Sequence, residues 1–215
     1  HLLTHTSGFA YDMWSSEIVR FREATGTPGV TSCRNAALDL PLLFDPGDNW
    51  SYGIGIDWAG KMVEAVVGQR LGAHFEQTIF APLGMKDTAF KLRDDMRARL
   101  SAMHARGADG SLTPIPFEVE QNPEFDMGGG GLYSTASDYM AFARMILNGG
   151  RHGSERLLKP ETVAMMAQDQ IAPLSVQPMI SAVPAATNDV PFSPEMPCGW
   201  GLSFLVNRRP TPQGR

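Results

Sequence analysis

The chain has 215 residues, 43% of them hydrophobic and 19% charged, with a net charge of −5 at pH 7 and an isoelectric point near 5.5. That length can bury one sizeable core or two small ones, and the composition argues against disorder. The acidic balance argues against nucleic acid or an anionic membrane as partner, and no apolar run is long enough for a bilayer-spanning helix.

In chain order, residues 1–11 read as a turn-rich opening. Residues 12–24 have helical spacing, with Trp14, Ile18 and Phe21 on one side, until Gly26, Pro28 and Gly29 break the pattern. A helix is expected from Ile54 to Val67, with Ala59, Val63, Val66 and Val67 as its apolar stripe and Gly68 as its C′ glycine. A second helix is expected over Ala73–Phe80, closed by Pro82-Leu83-Gly84-Met85. Residues 102–116 read as a hairpin about Asp109-Gly110, a dipeptide that tolerates positive φ at both central positions. The run Gly128–Gly131 is either a flexible loop or a place of close backbone approach. A phosphate cradle is disfavoured, since no Gly-Lys-Ser/Thr follows. Thr135-Ala136-Ser137-Asp138 resembles a capping box and opens a helix to Leu147, with Met140, Ala143, Ile146 and Leu147 inward. Pro160 starts a short helix to Gln168, residues 172–197 form a Pro-rich loop, and residues 200–206 read as one strand.

Chemistry-bearing residues are sparse. The five histidines are scattered without ligand spacing, and Cys33 and Cys198 read as unpaired small hydrophobes, so neither a metal nor another cofactor is expected. There is no Gly-x-Ser-x-Gly, no Ser-x-x-Lys, no Lys-Thr-Gly and no His-Glu-x-x-His. The informative stretch is Pro46-Gly47-Asp48-Asn49-Trp50-Ser51-Tyr52-Gly53, which sets a tyrosine on a Gly-flanked turn at the mouth of a helix. A phenol held there is either a proton shuttle in a cleft or a packing tyrosine with a satisfied hydroxyl.

Four blocks then carry a resemblance: Leu2-Leu3-Thr4-His5-Thr6-Ser7-Gly8, Pro46-Gly47 to Tyr52, Pro82 to Thr88, and Gly130-Gly131-Leu132-Tyr133-Ser134-Thr135 to Asp138. In this order they resemble the serine β-lactamase-related superfamily, which holds class C β-lactamases, D-alanyl-D-alanine carboxypeptidases and family VIII carboxylesterases. The resemblance implies an α/β (α+β) fold in which a mostly helical part, residues 1–195, leads to the first strand returning to an antiparallel sheet, residues 196–215. It also implies an acyl-enzyme formed on a serine of Ser-x-x-Lys, with the lysine and a tyrosine moving the proton. By this match Tyr52 is the catalytic tyrosine, and Phe9 and Tyr11, beside the cleft mouth, are substrate contacts. Ser-x-x-Lys precedes the first block in the family and a Lys-Thr-Gly-like motif follows the last. The chain is therefore expected to be an internal segment, inactive alone, with apolar faces exposed where it would pack on the rest.

Two departures bear on substrate. Family members often carry Tyr-Ser-Asn or Tyr-Ala-Asn, where this chain has Tyr52-Gly53-Ile54. Ile54 cannot give the amide hydrogen bond that the asparagine gives a β-lactam side chain, which favours a short-chain ester over a β-lactam. Gly53 is expected to loosen the turn that holds Tyr52. The resemblance thus implies a small-molecule ester or β-lactam as partner. A β-lactamase, a carboxypeptidase or a catalytically inactive binding module are the alternatives. His5 and Ser7 are expected to be structural, Trp50 to pack beneath Tyr52, and Met127 to serve packing of the glycine run. No oligomeric signature or export signal is present in these residues.

Overall fold

Ser15 sets the first helix. Its hydroxyl accepts a hydrogen bond from the Ile18 N–H at 3.3 Å, capping α1 (Ser16–Thr25), and Gly26 ends it in the left-handed region at φ 73°. The expected start at Asp12 is instead a separate 3₁₀ turn, Asp12–Trp14. The computed structural model describes residues 1–192 and 195–210.

Helix α2 (Gly55–Val67) ends at Gly68, φ 69°, as its sequence pattern requires. Next comes a continuous helical run made of α3 (Leu71–Phe75), a π-turn (Glu76–Phe80) and α4 (Ala81–Leu83). It begins two residues before the expected Ala73. Remote carboxylates satisfy its first free N–H groups: Glu64 Oε1 accepts from Leu71 at 3.0 Å and Asp126 Oδ2 from Gly72 at 2.9 Å. Its wide turn lies just before Pro82, which has no N–H for the helical ladder. Helix α5 (Asp94–Arg97) is a single turn. The hairpin of β1 (Met103–Arg106) and β2 (Leu112–Ile115) pairs Arg106 with Leu112. Its loop runs from 107 to 111, and of the expected dipeptide only Gly110 is left-handed (φ 83°), while Asp109 Oδ1 accepts from Ser111 N–H at 3.0 Å.

Helix α6 (Ala136–Leu147) is capped by Thr135, whose Oγ1 accepts from Asp138 N–H at 3.2 Å. Strands β3 (Arg151–His152) and β4 (Glu155–Arg156) form a minimal hairpin, and α7 (Pro160–Met166) begins with its proline in the first turn. Residues 200–206 are not one strand. They divide into β5 (Cys198–Trp200) and β6 (Leu205–Asn207), paired antiparallel across a turn where Ser203 takes φ 64°. The last expected residues, 211–215, lie outside the described ones.

Two helix faces differ from the periodic reading. On α2 the buried positions are Gly55, Asp57 and Gly60, while Val66 is 85% exposed and Met62 and Val67 are exposed too. A Cβ on Gly60 would press on Leu71 and the Gly128 backbone, so that close approach decides which face turns in. On α6 the packed residues are Ala141, Phe142, Met145 and Ile146, whereas Met140 and Leu147 are exposed. Three buried clusters result among the described residues: Tyr11, Val30, Cys33, Leu38, Ile54, Phe125 and Met127; Trp50, Ile171, Val176 and Cys198; and Phe80, Leu83, Met85 and Met145.

The four sequence blocks meet in pairs. Asp138, in the last block, accepts from Asp87 N–H at 2.8 Å and from the Thr88 hydroxyl at 2.9 Å in the third. His5 O, in the first, accepts from Ser51 N–H at 2.9 Å in the second, and Thr6 O from Gly47 N–H at 2.8 Å. Among the described residues no helix is long and apolar enough to cross a membrane.

Candidate active site

Tyr52 stands one turn before α2, between the first two clusters, and packs against both. Four aromatic rings hold it: His5 at 4.5 Å between centroids, Tyr11 at 5.5 Å, Trp200 at 5.9 Å and Trp50 at 6.5 Å. Trp50 is 3% exposed and packs beside Tyr52, as its place in the sequence suggested. Among the described residues no hydrogen bond ties the Tyr52 hydroxyl. Burial raises the phenol above the usual tyrosine range, and the Asp57 carboxylate adds to this.

Gly53 does not loosen the turn. It is buried, its N–H donates to His5 Nδ1 at 3.2 Å, and a Cβ there would collide with the backbone of Phe9 and Ala10. Only a glycine lets the 9–10 segment pass so close, and the passing segment supports Tyr52: the Tyr11 N–H donates to Tyr52 O at 3.1 Å.

His5 belongs to the site. It is buried among Tyr52, Trp200 (5.1 Å) and Trp50 (6.3 Å), and burial lowers its pKa to about 4. Accepting at Nδ1 places the proton of the neutral ring on Nε2. Nothing in the spacing of His5 and Ser7 pointed to this role, because the contact runs to a residue 48 positions away.

Tyr11 is 5% exposed, and its hydroxyl donates to Asp57 Oδ2 at 2.9 Å. Burial, then the Asp57 carboxylate, pushes that phenol far up. Asp57 is fully buried, and its other oxygen accepts from Gly129 N–H at 3.0 Å. The Gly128–Gly131 run is therefore a close backbone approach: a Cβ on Gly128 would strike Ile56 O, and one on Gly129 the Tyr11 hydroxyl. Phe9 is half-buried and stacks on the exposed Trp58 at 6.3 Å. Cys33 and Cys198 are free and buried, and burial pushes the Cys33 thiol up to about 11.

Helix and strand are mixed here as in the penicillin-binding and β-lactamase-like class of fold, to which the solved structures that superpose on this chain belong. The chain belongs to the Beta-lactamase family, whose profile matches residues 1–213. It is 34% identical over 216 residues to a lovastatin esterase of Penicillium rubens, covering 95% of this chain and 53% of that protein. It is 38% identical over 185 residues to a monacolin J acid methylbutanoyltransferase of Aspergillus terreus, covering 80% of this chain and 42% of that protein. A solved simvastatin synthase of Aspergillus terreus, in a mutant form, superposes with a TM-score of 0.74 at 32% identity, over 98% of this chain and 51% of that one. The chain spans about half the length of the curated relatives it matches.

Proposed function

We propose that this chain is part of an enzyme that transfers acyl groups through a serine-bound acyl-enzyme, most simply a carboxylesterase of the family VIII type acting on short-chain esters. The observation that carries the reading is Tyr52. Its ring is fixed by four aromatic neighbours while no hydrogen bond among the described residues ties its hydroxyl, which suits a proton carrier better than a packing residue. In this reading Tyr52 takes the proton from the attacking serine and returns it to the departing alkoxide. Both causes acting on its pKa within these residues favour the neutral phenol. A lysine of Ser-x-x-Lys, which these 215 residues do not contain, would supply the opposing charge.

The acyltransferase among the relatives supports a second reading on the same acyl-enzyme, with an alcohol in place of water as acceptor. Phe9, half-exposed on Trp58, is the side chain we assign to the acyl or alcohol group of the substrate. Residues 1–195 would then be the mostly helical part, and the β5–β6 hairpin the start of the return to the main sheet. The remaining polypeptide would cover the exposed α2 face of Met62, Val66 and Val67.

The test is hydrolysis of a chromogenic short-chain ester and a chromogenic cephalosporin by the full-length protein and its Tyr52→Phe variant. Ester turnover should exceed cephalosporin turnover. Tyr52→Phe should lower kcat by about 10²-fold or more with an unchanged melting temperature, and the 215-residue segment alone should be inert. Unchanged ester turnover in the variant would remove the role assigned to Tyr52. Product partition between water and an added alcohol decides between the two acceptors.

A further inference from the structure

Asp57 is fully buried, and among the described residues it has no cationic partner. A buried carboxylate without a counter-ion costs several kcal/mol unless its oxygens are well supplied with donors. Here Oδ2 accepts the Tyr11 O–H and Oδ1 the Gly129 N–H. With both oxygens accepting, the geometry is that of the anion, although burial raises its pKa. Asp57 thereby joins three segments: the start of α2, the loop carrying Tyr11, and the glycine run. Tyr11 in turn holds Tyr52 twice, through its N–H to Tyr52 O at 3.1 Å and through ring packing at 5.5 Å.

We propose that Asp57 is the positioning residue for Tyr52, fixing the phenol through Tyr11 and the Gly128–Gly131 turn. This rests on the reading of Tyr52 as the proton carrier. The same carboxylate disfavours a phenolate at Tyr52, against the opposing charge that the lysine of Ser-x-x-Lys would supply. The other titratable groups facing Tyr52 are Tyr11 and His5. Burial keeps Tyr11 a donor and His5 neutral, so neither supplies an opposing charge near neutral pH.

The test uses full-length protein carrying Asp57→Asn or Tyr11→Phe. Asparagine keeps the shape, and its amide can accept from Gly129 while donating to the Tyr11 oxygen, so the substitution is aimed at the charge alone. Phenolate absorbance titrated with pH, wild type minus Tyr52→Phe, isolates Tyr52. Asp57→Asn should move that titration to lower pH and lower kcat at least about tenfold with KM within about twofold. Tyr11→Phe keeps the carboxylate, so it should leave the titration in place while kcat falls. A Tyr52 titration unmoved in folded Asp57→Asn overturns the proposal, as does an unchanged kcat in Tyr11→Phe. Should Asp57→Asn fail to fold, Tyr11→Phe alone decides. The titration needs no activity, so a catalytically irrelevant Tyr52 and a non-positioning Asp57 give different results.

Discussion

Acidification should strip the Tyr52 turn of its support through His5. The imidazole is buried and accepts the Gly53 N–H at Nδ1, and a protonated ring has no lone pair there to accept it. Its pKa in the fold is about 4, against 6.5 for an ordinary histidine. As pH falls below 6.5 the unfolded chain takes up the proton while the folded chain does not. The unfolded state therefore binds more protons between 6.5 and about 4, and stability falls across that window. The His5 contribution is fully present above 6.5 and gone below about 4, which amounts to roughly 3 kcal/mol. Asp57, whose pKa burial raises, acts in the opposite sense over its own acid range. The test must therefore be differential. Full-length wild type and His5→Asn are unfolded in urea at a series of pH values. Asparagine tolerates the left-handed backbone of position 5, φ 56°, and does not titrate. At pH 7 the variant should be the less stable, since it loses the ring packing. By pH 4 the gap should have narrowed by about 3 kcal/mol. Parallel stability curves would refute the claim that His5 is neutral in the fold.

Two further substitutions follow from local geometry. Gly53→Ala drives a methyl group into the Phe9–Ala10 backbone and should cost about 1–3 kcal/mol by thermal or urea unfolding, with a loss of ester turnover beyond the loss of folded protein. Thr135→Ala removes the acceptor for Asp138 N–H and should cost about 1 kcal/mol in the same assay, with ester kcat untouched because α6 packs in the cluster that Tyr52 does not join.

What was legible in the sequence was local. Thr135 as a cap, Gly68 as a stop, Pro160 as a start and the hairpin around Gly110 each rest on chemistry within a few residues, and each is found. The four blocks were legible as a family resemblance, and they are also the segments that hydrogen-bond one another. The faces of α2 and α6 were not legible. Periodicity identifies an apolar stripe but not what will cover it, and on α2 the inward side is set by Asp57 and Gly60, a carboxylate needing donors and a gap needed by Gly128. Residues 200–206 gave no sign of their turn, because Ser203 adopts a left-handed backbone that its type does not advertise. His5, Asp57 and Gly53 were missed as supports of Tyr52 for one reason: their partners lie 46 to 72 positions away or, for Gly53, on a strand of backbone with no side-chain signature.

Tyr52 packs on two of the three buried clusters and not on the third, formed by Phe80, Leu83, Met85 and Met145. On the reading of Tyr52 as the proton carrier, the molecule separates robustness from performance in space. Substitutions that harden the third cluster can raise the temperature at which the fold survives without touching the phenol. The first two clusters have less freedom, since Tyr52 packs directly on both. Variation among natural relatives should accordingly be broader around Met145 than around Trp50 and Phe125, and a search for hardier forms of this protein would begin at the α4–α6 contact.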